Sequence, residues 1–121
     1  MANVFANTGK AIVTAALAAY ASVPKYIGWG TGAGTAAATD TTLFIETGTR
    51  TTGTPAQVTT TTTNDTFQVT GTVTAGGAIT VTNSGVFDAS ISGNLFQKGD
   101  FTGVALNNGD AIAFTFKTVF A

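Results

Sequence analysis

The side chains that could do chemistry are few and of limited kinds. The chain has no histidine and no cysteine, so it lacks the commonest general base, the commonest transition-metal ligand and any disulfide. Six acidic residues remain, namely Asp40, Glu46, Asp65, Asp88, Asp100 and Asp110. Asp65, Asp100 and Asp110 lie beside Gly or Asn in predicted turns, where aspartate favours bonding to nearby backbone N–H groups. Only Glu46 with one aspartate stays open as a pair of facing carboxylates of the glycosidase type.

No other catalytic or ligand-binding motif is present. No serine lies in a G-x-S-x-G context, and no EF-hand spacing occurs. The glycine-rich residues 30–42, GTGAGTAAATDTT, lack the G-K-[ST] ending of a phosphate loop and are predicted to be a connection. We therefore expect a protein that is not an enzyme and that holds neither a cofactor nor a metal.

The charge content points to burial against other proteins. Only 9% of residues are charged and the formal net charge is −1, whereas soluble domains average about 25% charged residues. The five basic residues are scattered, which argues against nucleic acid because phosphate binding needs a clustered basic face. They are Lys10, Lys25, Arg50, Lys98 and Lys117. Threonine supplies roughly a fifth of the chain, so we expect an assembly subunit, with a threonine-rich secreted or surface domain as the alternative.

The N-terminal apolar run has three interpretations. Residues 11–19 read AIVTAALAA after Lys10, and this run is far too short to span a membrane. A helix over about residues 9–20 is favoured, capped by Asn7 and Thr8 and ended by Pro24. A strand stays open, as does a signal peptide with an A-x-A-like site at residues 19–21.

The rest of the chain has the patterns of short strands. Residues 25–30 (KYIGWG) predict one strand, and apolar residues alternate with threonine over 65–75 and again over 78–82. With a strand over 57–63, these segments predict a three-stranded meander that turns at Asn64-Asp65 and at Gly76-Gly77. The threonine run 59–63 has no Lys or Pro to guard a strand edge, and such a strand can present its hydroxyls to water or pair edge to edge.

The last third predicts further strands joined by polar turns. We expect a bulge at residues 83–85, a strand from Leu95 broken at 98–100, a strand over 101–106, a turn at 107–110 and a final strand over 111–120. Apolar side chains in the final strand share one face; they are Ile112, Phe114, Phe116 and Phe120.

These patterns predict a mainly β fold, an antiparallel sandwich or jelly-roll-like barrel with one short N-terminal helix. Residues 1–121 form a single domain, with an N-terminal arm and helix over 1–24 and a β body over 25–121. Trp29, the only tryptophan, is expected in the core, with an inter-subunit contact and a carbohydrate-stacking platform as alternatives.

Two blocks of sequence resemble small structural proteins of tailed bacteriophages. The first comprises NTGKAIVT at 7–14, PKYIGWGTG at 24–32 and ATDTTL at 38–43, followed by Glu46 and Arg50. The second comprises SGVFDA at 84–89, Leu95-Phe96 and NGDAIAFTFK at 108–117. Together the blocks cover about two-thirds of the chain, and the threonine-rich residues 47–63 lie outside the resemblance.

The resemblance implies a head decoration (cement) protein, commonly a trimeric β-protein that clamps neighbouring major capsid subunits. We accordingly expect a homo-oligomer, with a trimer favoured, on the outer surface of the head, made in the host cytoplasm and bound to the major capsid protein but to neither nucleic acid nor membrane. The residues expected at the contact are Phe5, Lys10, Gly28, Trp29, Gly30 and Thr31. The alternative is a tail fibre, tail tube or baseplate subunit with a carbohydrate- or receptor-binding role.

Overall fold

A computed structural model describes all residues, Met1–Ala121. One helix, α1, is followed by seven strands, β1 to β7 in chain order. Their bounds are α1 Asn7–Ala19, β1 Tyr26–Gly30, β2 Glu46–Thr52, β3 Thr54–Val58, β4 Thr66–Thr74, β5 Ile79–Phe87, β6 Leu95–Leu106 and β7 Ala111–Val119. The strands form a four-stranded sheet in the order β2-β1-β5-β6 and a three-stranded sheet in the order β3-β4-β7, with every pairing antiparallel. The predicted mainly β fold, a sandwich with one N-terminal helix, is confirmed.

Alternating apolar residues build the core of the sandwich. Phe67, Val69 and Val73 alternate along β4 with more exposed polar residues, and all three are buried. The even-numbered residues of β7 are half-buried while the odd-numbered ones are exposed. The four-stranded sheet contributes Ile27, Trp29, Val81 and Val86 to the same cluster. The period-two pattern therefore identified the inward face of both strands correctly.

The helix begins earlier than predicted and has no side-chain cap. Ala6 precedes the first turn, and Asn7 and Thr8 lie inside the helix. The predicted caps were wrong because the chain continues helically through them; the Asn7 side chain instead accepts a hydrogen bond of 3.3 Å from Lys10 Nζ. The helix ends at Ala19, five residues before Pro24.

One polar side chain anchors the helix. Thr14 is fully buried, and its hydroxyl donates to the Asn64 carbonyl at 2.7 Å. Gln57 Nε2 in β3 donates to Thr14 Oγ1 and to the Ala11 carbonyl, both at 2.8 Å. Leu17 and Ala18 then pack against the core, so α1 has one buried side and one side in solvent.

The predicted meander is only half present. β3 pairs with β4 as expected, but β4 pairs next with β7, and β5 pairs with β1 and β6. Gly76-Gly77 therefore carries the chain from one sheet to the other and does not close a hairpin. Alternation determines which face of a strand is buried but does not determine which other strand it pairs with. The hairpin prediction failed for this reason.

The threonine run 59–63 is a turn and not an edge strand. β3 ends at Val58, and the Asp65 carboxylate then accepts the backbone N–H groups of Thr60, Thr61 and Thr62 at 2.9–3.1 Å. These local bonds outweigh the β propensity of threonine. The strand predicted through residue 63 is therefore wrong beyond Val58, and neither arrangement of a threonine-coated strand is present.

Two other strand predictions need correction. β2 was not predicted, because its residues ETGTRTT lack apolar alternation and lie at a sheet edge. β6 is continuous across Lys98, Gly99 and Asp100, which pair with Gly85, Ser84 and Asn83. The expected bulge in β5 is displaced slightly, because the register shifts lie between Val81 and Asn83 and between Val86 and Phe87.

Candidate interaction surface

Three of the residues expected at a contact lie inside the subunit. Trp29 is 3% exposed and belongs to the core cluster. Gly28 and Gly30 are buried on the other face of β1, where a Cβ at Gly28 would lie 2.7 Å from Glu46 Oε2. Thr31 is half-buried, and its hydroxyl is 3.4 Å from that of Thr47. Gly28, Trp29 and Gly30 therefore offer no accessible surface for a neighbouring subunit, and Trp29 offers none for a glycan.

Of the other two residues, Phe5 lies on an exposed apolar surface, whereas Lys10 is half-buried one turn before Thr14. Five large apolar side chains over residues 4–20 face solvent, and we call them the N-terminal surface. They are Val4 at 86% exposed, Phe5 at 45%, Ile12 at 69%, Val13 at 37% and Tyr20 at 59%. Exposed alanines surround them, and Lys10 is the one charged residue of the arm and helix. A helix on the surface of a free monomer normally carries charged groups on this side.

The local sequence explains why this surface stays open. The positions of α1 that meet the sandwich are Thr14, Leu17 and Ala18. Ile12 and Ala16 project from the opposite side of the same helix, and Val13 lies on its flank, one turn before Leu17. The Phe5 ring lies against Gly9, where an added Cβ would be only 3.1 Å from Phe5 Cε1. The absence of a side chain at Gly9 thus lets the arm fold back over the first turn.

The second exposed apolar region is at the β2 edge. Ile45 is 70% exposed with a φ of 51°, a left-handed conformation that is rare for a β-branched residue. Ile91 is 80% exposed in the loop of residues 88–94. Strained backbone of this kind concentrates at functional positions.

Arg50 in β2 fixes the loop that carries Ile91. Its guanidinium forms a two-point ion pair with Glu46, with Nε to Oε2 at 2.8 Å and Nη2 to Oε1 at 3.0 Å. Nη1 donates to the carbonyls of Ala89 and Ser92 at 2.8 and 2.6 Å. The group also lies 3.4 Å from the Phe87 ring centroid. Glu46, one half of the carboxylate pair left open above, is therefore engaged by an arginine.

The aspartate carboxylates mainly accept hydrogen bonds from backbone N–H groups. Asp65 accepts bonds chiefly from the N–H groups of Thr62 and Thr60, and these hold its pKa well below the usual range. The Asn94 N–H and side-chain amide lower the pKa of Asp88 in the same way. Asp110 accepts the Asn107 N–H at 2.8 Å, which confirms the predicted turn at 107–110. Asp100 lies within β6, so its predicted turn was wrong; its Oδ1 accepts the Ala36 N–H at 2.9 Å.

Asp40 and Lys98 hold the long loop of residues 31–45 over the four-stranded sheet. The hydrogen bond from the Ala37 N–H is the main cause of the lowered pKa of Asp40, and Lys98 is the second cause. Lys98 Nζ lies 3.0 Å from Asp40 Oδ2. Lys98 Nζ also lies 3.4 Å from the Phe44 ring centroid and donates to the Thr42 carbonyl at 2.9 Å. The loop thus covers one outer face of the sandwich.

Comparison with known proteins gives no relative. No protein-family model matches the chain, and neither does any curated protein or solved structure. Helix α1, with 13 residues, is the longest helix, and no helix has both the length and the apolar character needed to cross a bilayer.

Proposed function

We propose that this protein is a non-catalytic structural subunit that decorates and stabilises the head of a tailed phage. The observation that carries the proposal is the N-terminal surface, where five large apolar side chains are exposed beside a single basic residue. Several large apolar side chains exposed within one short segment of a small domain indicate a binding surface. The resemblance of residues 7–14 and 24–32 to phage structural proteins supplies the class of partner, the major capsid protein.

The action would be mechanical. Apolar surface buried against a shell contributes roughly 25 cal/mol per Å², before the cost of association is subtracted. Copies repeated over a symmetric shell would add many such contacts, so a modest contact per subunit could stabilise the whole particle. The outer surface of the head is the location proposed, and a trimer stays a prediction from the resemblance.

The test uses emptied, expanded heads of the phage that carries this gene. We expect the purified chain to co-sediment with the heads and to raise their melting temperature. Ile12→Glu should bind roughly tenfold more weakly, a loss of about 1.4 kcal/mol, because it places a charge in the buried contact. Ile91→Glu is the matched control, since Ile91 is at least as exposed as Ile12, 80% against 69%, but lies outside the N-terminal surface. This variant should bind as the unmodified chain does.

These measurements test the decoration role and the role of the N-terminal surface separately. Heads that neither bind the unmodified chain nor gain thermal stability would refute the decoration role. Normal binding by Ile12→Glu, with helix content unchanged by circular dichroism, would refute only the role of the N-terminal surface.

A tail tube or baseplate subunit is the second candidate. It is supported by the same uncharged, exposed surface and predicts rings or tubes in solution. The carbohydrate-binding variant of the tail fibre alternative is less supported, because the tryptophan proposed as its platform is 3% exposed.

A further inference from the structure

The edge of β7 is the longest regular unpaired strand edge of the molecule. β7 has nine residues and pairs with β4 without a register shift, from Thr66 opposite Val119 to Thr74 opposite Ala111. No strand pairs with its other side. A strand of this length exposes about 30 Å of open edge, and natural proteins usually protect such an edge with charges, proline or bulges.

Hydrogen-bond parity shows which backbone groups point away from the sheet. The Phe120 N–H donates to the Asp65 carbonyl, and the Ala75 N–H donates to that of Asp110. In an antiparallel ladder hydrogen-bonded pairs alternate with non-bonded pairs, so the even-numbered residues of β7 bond to β4. The N–H and C=O groups of the odd-numbered residues therefore face the open edge; these residues are Ala111, Ala113, Thr115, Lys117 and Val119.

The side chains of this strand are mostly apolar on the inside and, apart from Lys117, small or β-branched on the outside. Phe114 and Phe116 stack with ring centroids 5.9 Å apart, and Phe101 of β6 lies 6.4 Å from Phe114. The two β7 rings are half-buried and Phe101 is 37% exposed. Lys117 is the one charged residue on the strand.

We propose that a second copy of this chain pairs antiparallel with β7 about a twofold axis at Thr115, giving a continuous six-stranded sheet. In this register Phe114 lies opposite the partner's Phe116, so the half-exposed rings of both copies cover one another. Lys117 lies opposite the partner's Ala113, so the two positive charges stay apart. The edge is thus complementary to itself, as a twofold contact requires.

One existing bond is compatible with this pairing. Gln97 Nε2 donates to the Lys117 carbonyl at 3.0 Å. A carbonyl oxygen has two lone pairs, so Lys117 can also accept the N–H of the partner's Ala113.

The other three sheet edges suit a partner less well. β3 contains Pro55, which has no N–H to donate. The pairing of β6 with β5 is interrupted by two register shifts. β2 carries the Arg50–Glu46 ion pair and binds the 88–94 loop.

The inference does not rest on the proposed head decoration, but it predicts a dimer where the resemblance implies a trimer. Its test needs only the purified chain. Light scattering coupled to size exclusion should give twice the monomer mass of 12.1 kDa. Thr115→Pro should give a monomer, because it removes an outward N–H and leaves the bonds to β4 intact. Thr115→Val keeps that N–H and should stay a dimer.

Two charge variants test the register without disturbing the fold. Thr115→Glu places two carboxylates opposite each other and should raise the dimer dissociation constant a few-fold. Ala113→Glu places each carboxylate opposite the partner's Lys117 and should lower that constant a few-fold. A monomer or trimer for the unmodified chain, or a dimer indifferent to Thr115→Pro, would overturn the pairing; equal effects of the two glutamates would overturn the register.

Discussion

Single aspartates organise the turns of this sandwich. Asp65 is the clearest case, because its carboxylate, 2% exposed, receives the N–H groups of Thr60, Thr61 and Thr62 and the hydroxyl of Thr66. A carboxylate that accepts several N–H bonds is stabilised in its charged form. The same arrangement explains why residues 59–63 form a turn although threonine favours strands.

The lowered pKa of Asp65 predicts how stability depends on pH. A carboxyl whose pKa is lower in the folded chain stabilises it above the ordinary value, near 4, and this contribution is lost as the pH falls from there towards the lowered pKa. We expect the melting temperature to fall as the pH is lowered below about 4. Asp65→Asn should melt several degrees lower at pH 7 and show a shallower acid decline, measured by thermal denaturation from pH 7 to pH 2.

Asp110→Asn is the control for that series. Its carboxylate accepts the Asn107 N–H alone in an exposed turn, so this variant should keep the acid slope of the unmodified chain. An equally steep acid decline in Asp65→Asn would show that Asp65 does not govern the pH dependence.

Thr14 is the second residue on which a local element depends. Thr14→Val preserves the shape of the side chain but leaves Gln57 Nε2 and the Asn64 carbonyl without this partner. We expect a loss of about 1–3 kcal/mol in the free energy of unfolding, as for other buried groups left unsatisfied. Urea denaturation measures this loss. Thr8→Val, at an exposed position of the same helix, should change stability by under about 0.5 kcal/mol, and equal losses in both variants would contradict the role of Thr14.

Among the strands, the sequence predicts which face is buried better than it predicts which strands pair. Alternation in β4 and β7 predicted their inward faces because a buried face requires apolar side chains at every second position. The hairpin predicted at Gly76-Gly77 was wrong although a tight turn between two alternating segments favours one. Only the packing of the whole chain decides that β4 and β5 enter different sheets. β2 could not be predicted from its polar residues, since its position depends on pairing with β1.

The 88–94 loop is the element whose order depends most on one side chain. Arg50→Lys removes the two-point ion pair with Glu46 and the paired bonds to Ala89 and Ser92, because an ammonium lacks the planar fork of a guanidinium. We expect backbone amides of residues 89–93 to exchange with solvent at least about tenfold faster, which corresponds to about 1.4 kcal/mol of local protection. Hydrogen exchange with mass spectrometry measures this effect.

The turn at 107–110 serves as the internal reference for that experiment. It has no contact with Arg50 and should exchange at the unmodified rate. Faster exchange throughout the chain would indicate general destabilisation, and unchanged exchange at 89–93 would show that Arg50 does not order the loop.

At the scale of the whole molecule, a sandwich with few charges leaves two kinds of surface open. The N-terminal surface exposes large apolar side chains, and the β7 edge exposes unpaired backbone groups. Phe5 and Lys10 were expected at a contact from the sequence, and Ile12 and Tyr20 were not, because the helix is apolar on several sides and its orientation is set by Thr14. The β7 edge was missed because alternation does not reveal which strands end a sheet.

The most direct test of the proposed head decoration is a density map of the phage particle that is expected to contain this chain. Repeated copies should lie on the outer surface of the head, with Phe5 and Ile12 in contact with the major capsid protein. A particle whose head carries no copy of the chain, or copies whose N-terminal surface faces solvent, would contradict this proposal.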